Sequence, residues 1–244
     1  MKKINNYFIY NFQKIFFLYS YIFSKSFNES KLLRNNLSED SVIFDIGSNL
    51  GSYIYLISKK NKNKKIMFHS FDPLPSNIEF QKTIKFPKKH IIKFNNIAIT
   101  KYIGETLLYE NSISSQSTIK KRNFNLGKFV QSYKVKTLTI DEYCKLNHID
   151  FINLLKIDTE GSDLDVLYSA KLLIENSSID LIKIEIENNG KSFEEIIKYL
   201  NNYGYILIST LNHTYKNNEL ILFDCYFKKL KYIQNKIPKN DKNN

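Results

Sequence analysis

From residue 41 onward the apolar positions alternate between two spacings. Short runs rich in β-branched and aromatic residues occupy 41–46 (SVIFDI), 66–71 (IMFHSF) and 91–99, and read as strands. Between them, 51–60 has helical spacing through Tyr53, Ile54 and Ile57, and 75–86 is a helix opened by Pro75. The rhythm resumes with a strongly apolar strand at 150–158, a helix at 163–175, a strand at 180–187 and a helix at 192–203. It closes with two strands, 205–210 and 219–227, joined by a short polar turn. The stretch 101–137 is less regular, with strands at 105–110 and 131–138 around residues rich in Ser and Asn, and reads as an insertion. Alternating βαβ units ending in a hairpin predict an α/β fold: a doubly wound, mostly parallel sheet with one antiparallel strand at the end.

The chain outside this rhythm divides into an N-terminal segment, 1–40, and a tail, 228–244, flanking a domain at 41–227. Residues 7–23 read YFIYNFQKIFFLYSYIF, shorter than the roughly 20 apolar residues of a spanning helix and interrupted by Asn11, Gln13 and Lys14. The segment is therefore amphipathic, and no small-residue cleavage site follows it. The plainer expectation is a helix packed on the domain. The sharper one is a monotopic helix lying on the inner face of the membrane, making a cytoplasmic protein peripheral there.

With 43% apolar residues in 244, the chain can build a sizeable core. The net charge of +12 suggests nucleic acid, but all but two of the 36 basic residues are lysines, the exceptions being Arg34 and Arg122. Arginine is the usual residue for bidentate phosphate and guanine contacts, so no specific nucleic-acid partner is expected. The excess charge concentrates at 59–65 and in the tail, which reads as solvated. Two cysteines, Cys144 and Cys225, give neither a disulfide framework nor zinc-ligand spacing.

In such a sheet a ligand binds outside the carboxyl ends of the strands, so the residues there carry the chemistry. The first strand ends in Asp45-Ile-Gly-Ser-Asn-Leu-Gly51. Gly47 and Gly51 allow a tight turn and a close approach, and the helix beginning there points free N–H groups at whatever is bound. A carboxylate at Asp45 would repel a pyrophosphate and attract an ammonium group, and the spacing fails the G-x-G-x-x-G pattern of dinucleotide sites. Asp72 ends the second strand, placed to accept hydrogen bonds from both hydroxyls of a ribose. A nucleoside with an amino-acid tail satisfies both acids, and S-adenosylmethionine is that molecule.

The strand at 150–158 ends in LLKIDTEG. Lys156 and Asp158 share one face by alternation, and Glu160 follows at the mouth. Methyl transfer to a hydroxyl is an in-line displacement in which the enzyme aligns the acceptor and removes its proton. Asp158 is the first candidate base and Glu160 the second, with helix capping the competing role for Glu160. Glu185 and Glu187, on one face of the next strand, are candidates to bind the acceptor or orient the base. Asp158 and Glu160 could hold magnesium through oxygen ligands, but no full ligand set is readable, so no metal site is assigned.

These segments together resemble the FkbM family of S-adenosylmethionine-dependent methyltransferases over about 42–187, through VIFDIGSNLGSY, FHSFDPLPSN, VKTLTIDEY and LLKIDTEGSDLDVL. The last is the most specific. Ser48 stands where the family usually has alanine, and Asp72 where it has glutamate. The resemblance implies a seven-stranded, Rossmann-like class I methyltransferase sheet and O-methylation of a sugar or other natural-product hydroxyl. Carried over by position, it implies that Asp45, Gly47, Ser48, Asn49 and Gly51 line the methionine part, that Asp72 meets the ribose, and that Asn96, with Ile97, lies at the adenine.

Of the histidines, His69 lies inside a strand, His90 and His148 precede strands, and only His213, in the final hairpin turn, is placed to reach a site. Ser114, Ser115 and Ser117 are further candidates to hydrogen-bond an acceptor. Two other readings stand beside the enzyme acting on a saccharide or small molecule. A nucleic-acid methyltransferase is favoured only by charge and lacks an N/D-P-P-Y/F/W motif. A non-catalytic binding module or membrane-associated scaffold would not need Asp45, Asp72 and Asp158 together.

Overall fold

A computed structural model describes residues 36–113, 116–120, 127–187 and 191–230, together with 29, 32 and 33. The aromatic segment 7–23, Ser114, Ser115 and the basic residues 231–244 lie outside them.

Strands β1 (Ser41–Ile46), β2 (Ile66–Phe71), β3 (Ile91–Asn95), β7 (Ile152–Ile157), β8 (Ile179–Glu187), β9 (Tyr205–Lys216) and β10 (Glu219–Lys229) form one seven-stranded sheet in the order β3-β2-β1-β7-β8-β10-β9. All neighbours are parallel except β10, which runs antiparallel to both β8 and β9. The expected doubly wound sheet is thus present, with its antiparallel strand one place in from the edge. Strand order reverses between β1 and β7, so their carboxyl ends open a crevice there.

Period-2 alternation sends neighbouring residues of the central strands to opposite faces. Phe44, Ile46, Leu155, Ile157, Ile182 and Ile184 pack on α3 (Ile140–Leu146), α4 (Asp163–Ser169), α5 (Lys171–Glu175) and α6 (Lys191–Asn202). Ile43, Phe68, Leu154, Leu181 and Tyr226 pack on α1 (Ser52–Lys60) and on Leu33 and Leu37. Helix α6 shows why sequence spacing suffices for such an element: Phe193, Ile196, Ile197 and Leu200 make one apolar stripe.

Several expected boundaries move. The helix from Pro75 stops at Lys82 as α2 (Pro75–Lys82). The helix expected over 163–175 breaks at Ala170, and α3, which was not foreseen, is capped by the Thr139 side chain accepting from the Glu142 amide. The strand expected over 91–99 splits after Asn95, and β4 (Ala98–Ile99) leaves for a second sheet with β5 (Gly104–Asn111) and β6 (Phe129–Leu138), in the order β4-β6-β5. The region read as irregular is therefore an ordered three-stranded sheet around Leu74, Ala98, Leu108 and Val135. The final hairpin is longer than expected and turns at Asn217 and Asn218, both with positive φ, which leaves His213 within β9 rather than in the turn. Among the described residues, no helix is long and apolar enough to cross a membrane.

Candidate active site

The loop after β1 is shaped by contact, not by glycine content alone. Gly47 has φ +76°, and a Cβ built there would lie 1.8 Å from the carbonyl oxygen of Asp158. Only glycine lets the β1 and β7 ends come this close. The Gly47 and Ser48 amides both donate to the Phe71 carbonyl, and the Asn49 amide donates to Asp72 Oδ2 at 2.8 Å. Gly51, at φ +75°, starts α1 with no side-chain cap. Beneath the loop sits fully buried Gln81, whose Nε2 donates to Ser48 Oγ at 2.9 Å and to the Asn49 carbonyl at 2.6 Å. Ser70 Oγ lies 2.7 Å from Ser48 Oγ. Ser48 is thus an internal strut of the loop. The sequence signal for Gln81 was a polar residue three after Ile78, on the side of α2 that faces the core.

Asp72 is 6% exposed and accepts at Oδ1 from the Leu74 amide and from Asn77 Nδ2. Burial pushes its carboxyl up to about 7, against the pull of those bonds and the Asn49 amide. Its two oxygens offer about four acceptor sites, so room remains for hydroxyl donors. Asn96 donates to the carbonyls of Asp72 and Pro73, so its side chain ties down the β2 end instead of lining the cleft, and Ile97 lines it.

That cleft runs along the carboxyl ends of β1, β2 and β7. Gly47, Asn49, Asp72, Asp158 and Glu160 give its polar side; Phe71, Leu74, Ile97, Ile99, Leu108 and Ile119 give its apolar side. Leu108 comes from β5 and the stretch 117–119 from the connection between β5 and β6, so the region read as an insertion supplies a wall of the site. Ser117 lines the cleft, its hydroxyl accepting from the Asn111 amide.

Asp45 has a different place from the one expected. It is fully buried and does not line the cleft; the ammonium it holds is that of Lys156, at 2.8 Å. Burial raises the Asp45 carboxyl and the Lys156 cation opposes the rise. The same Lys156 Nζ lies 3.2 Å from Asp158 Oδ2, so one cation links the buried acid to the acid that faces the cleft.

Asp158 and Glu160 line both this cleft and two adjoining ones, whose walls add Glu185 and Glu187. The four acids singled out from the sequence therefore meet at one mouth. Glu160 is a non-glycine residue at φ +54°, followed by Gly161 at φ +97°. Its Oε1 accepts from Gln116 Nε2 and its carbonyl from Thr118 Oγ1, so the connection between β5 and β6 grips this loop, and neither bond is a helix cap. Instead Asp163, half-buried, accepts from the Thr159 amide and hydroxyl and stiffens the turn. Among the described residues no group of three or more His, Cys, Asp or Glu is placed to hold a metal ion. His69 is buried and its ring is pushed down to about 4 by burial and Lys93; His213 lies beside Thr210 Oγ1, away from the cleft walls.

Tyr53 was not singled out as a site residue. Its ring, on α1, lies 5.4 Å from Lys156 Nζ and 4.8 Å from Lys183 Nζ. Lys183 is 1% exposed and pairs with Glu29 at 2.9 Å and Asp224 at 2.8 Å. A row of buried charge thus crosses the sheet through Asp45, Lys156 and Lys183, which are register neighbours on one face.

The chain is 26% identical over 147 residues to methyltransferase 1 of Beauveria bassiana, covering 53% of this chain and 58% of that protein. It is 22% identical over 171 residues to the hexuronic acid methyltransferase AglP of Haloferax volcanii, covering 68% and 65%. The chain therefore spans less than two thirds of either curated relative. A crystal structure of a methyltransferase FkbM from Methylobacillus flagellatus shares the fold at a TM-score of 0.51 and 15% identity, over 78% of this chain and 44% of that one. The family model for the methyltransferase FkbM domain matches residues 45–207, from the glycine loop into β9, and the chain belongs to that family of methyltransferases.

Proposed function

We propose that this methyltransferase takes its methyl group from S-adenosylmethionine and transfers it to a hydroxyl of a saccharide or related polyhydroxylated small molecule. The observation that carries this reading is the continuity of the clefts: a narrow one with an apolar side and a ribose-suited acid, joined through Asp158 and Glu160 to a wider acidic one. The residues present fit the cofactor. Ile97, Ile99, Leu108 and Ile119 suit a flat apolar base, Asp72 suits ribose hydroxyls, and the Gly47–Gly51 loop leaves backbone close to the ligand. The hydroxyl of Ser162, buried in the same wall, has no partner among the described residues.

When bound, the cofactor supplies a methyl group activated by its sulfonium. The chain aligns the acceptor, excludes water and receives a proton. Of the four acids at the shared mouth, Asp158, fixed by Lys156, and Glu160, fixed by Gln116, also line the narrow cleft, and one of them takes the hydroxyl proton. Glu185 and Glu187 accept hydrogen bonds from neighbouring acceptor hydroxyls. No step here requires magnesium. The saccharide class is supported by the name of the Haloferax relative and by carboxylate walls suited to hydroxyl donors.

The test is incubation of the protein with isotope-labelled S-adenosylmethionine and a panel of sugars, nucleotide sugars and glycans. Label should appear in a saccharide and fall at least a hundredfold in Asp158→Asn or in Glu160→Gln, with S-adenosylhomocysteine affinity kept. Label found only in RNA would reject the saccharide reading.

A further inference from the structure

The end of the molecule opposite the cleft carries a charge feature that the methyltransferase chemistry does not use. Lys59, Lys60, Lys62 and Lys65 lie exposed at the end of α1 and in the loop before β2. The fold brings a second set, Lys82, Lys85, Lys88 and Lys89, exposed at the end of α2 and before β3, to the same side. The two loops touch. Lys89 Nζ donates to the Asn63 carbonyl at 2.9 Å, the His90 ring bonds the Ser58 carbonyl, and Tyr55 meets Phe86 edge to face. Against these lysines stand Asp40, paired with Lys65, Glu79, paired with Lys82, and Glu39, whose carboxylate accepts from the Lys65 amide. Only the first lysine set was recognisable as a charge cluster along the sequence.

We propose that this lysine face docks the protein on an anionic phospholipid bilayer, with the cleft pointing away into the aqueous phase. The face lies at the amino ends of parallel strands whose carboxyl ends form the cleft, roughly 20 Å apart along β2. Its cations are all lysines, point charges that suit a plane of headgroup phosphates, and none is an arginine of the kind that grips phosphate or guanine in two places. The nearest aromatics, Tyr55 and Phe86, are half-buried against each other, so no stacking platform for bases is presented. A polymer held here would also lie far from Asp158. This inference is independent of the cofactor and acceptor proposed above.

Sedimentation of the full chain with phosphatidylcholine vesicles, with and without a quarter of phosphatidylglycerol, tests it. Binding should require phosphatidylglycerol and fall with salt. The fourfold variant Lys59→Glu, Lys62→Glu, Lys85→Glu, Lys88→Glu should lose at least tenfold in partition. A matched variant at exposed lysines elsewhere, Lys134→Glu, Lys136→Glu, Lys145→Glu, Lys171→Glu, should stay within threefold of wild type. Both variants should keep the wild-type circular dichroism spectrum and melting temperature. Equal loss in the two variants would overturn the proposal, as would salt-independent binding to phosphatidylcholine alone, no binding by wild type, or tighter patch-dependent binding to an RNA duplex than to vesicles.

Discussion

At the scale of single residues, the site is built from a few positions where one atom decides the outcome. Gly47 is the clearest. An added methyl would meet the Asp158 carbonyl at 1.8 Å with the backbone already left-handed, so Gly47→Ala should cost about 1–3 kcal/mol and lower the melting temperature by several degrees. Asp72 sets a pH dependence. Its carboxyl is pushed from its ordinary 3.8 to about 7, so between those values the folded state holds a proton that the unfolded chain releases. Its contribution therefore lowers stability as pH rises from about 4 to about 7, and denaturation of Asp72→Asn should follow a flatter pH course over that window. Affinity for S-adenosylhomocysteine should rise through pH 7 as the carboxylate forms to accept ribose hydroxyls, and calorimetry in the same variant should lose that rise. His69 has the opposite sign. Held neutral by burial, with its ring pushed down to about 4, it costs stability as pH falls below about 6.5, where the unfolded chain takes up the proton.

At the scale of elements, the sequence was readable wherever neighbours along the chain decide the structure. β1 and β2 end where their apolar runs end, and the glycines and Asp72 mark those ends. Long-range pairings were not readable. Nothing near Asp45 announces that Lys156, 111 residues away, takes its carboxylate, and nothing near Glu29 announces a buried partner at Lys183. The second sheet was missed for a related reason: the short β4 has meaning only through its pairing with β6 at Thr137 and Leu138. Two consequences can be measured. Replacing the half-buried Ile119 by Ala should weaken S-adenosylhomocysteine several-fold with little change in melting temperature, because the residue lines the cleft from outside the main core. Removing one partner of the buried network, as in Lys183→Met, leaves Glu29 and Asp224 without their shared cation and should cost about 3–5 kcal/mol in denaturant unfolding. Adding Glu29→Gln and Asp224→Asn to that variant should recover part of the loss.

At the scale of the whole molecule, a chain of net charge +12 gathers four acids at the mouth of its clefts and sets exposed lysines at the far end. Net charge alone would have suggested a nucleic-acid enzyme; the arrangement of that charge suits the hydroxylated acceptor and the anionic surface proposed above. Calorimetric titration of S-adenosylhomocysteine into the wild type and into Asp72→Ala tests most directly whether the strand-end cleft is the cofactor site. Saturable binding of one molecule per chain is expected, weakened at least tenfold in the variant while both remain folded. A folded wild type that takes up no S-adenosylhomocysteine, or an Asp72→Ala protein that binds as wild type does, would contradict it.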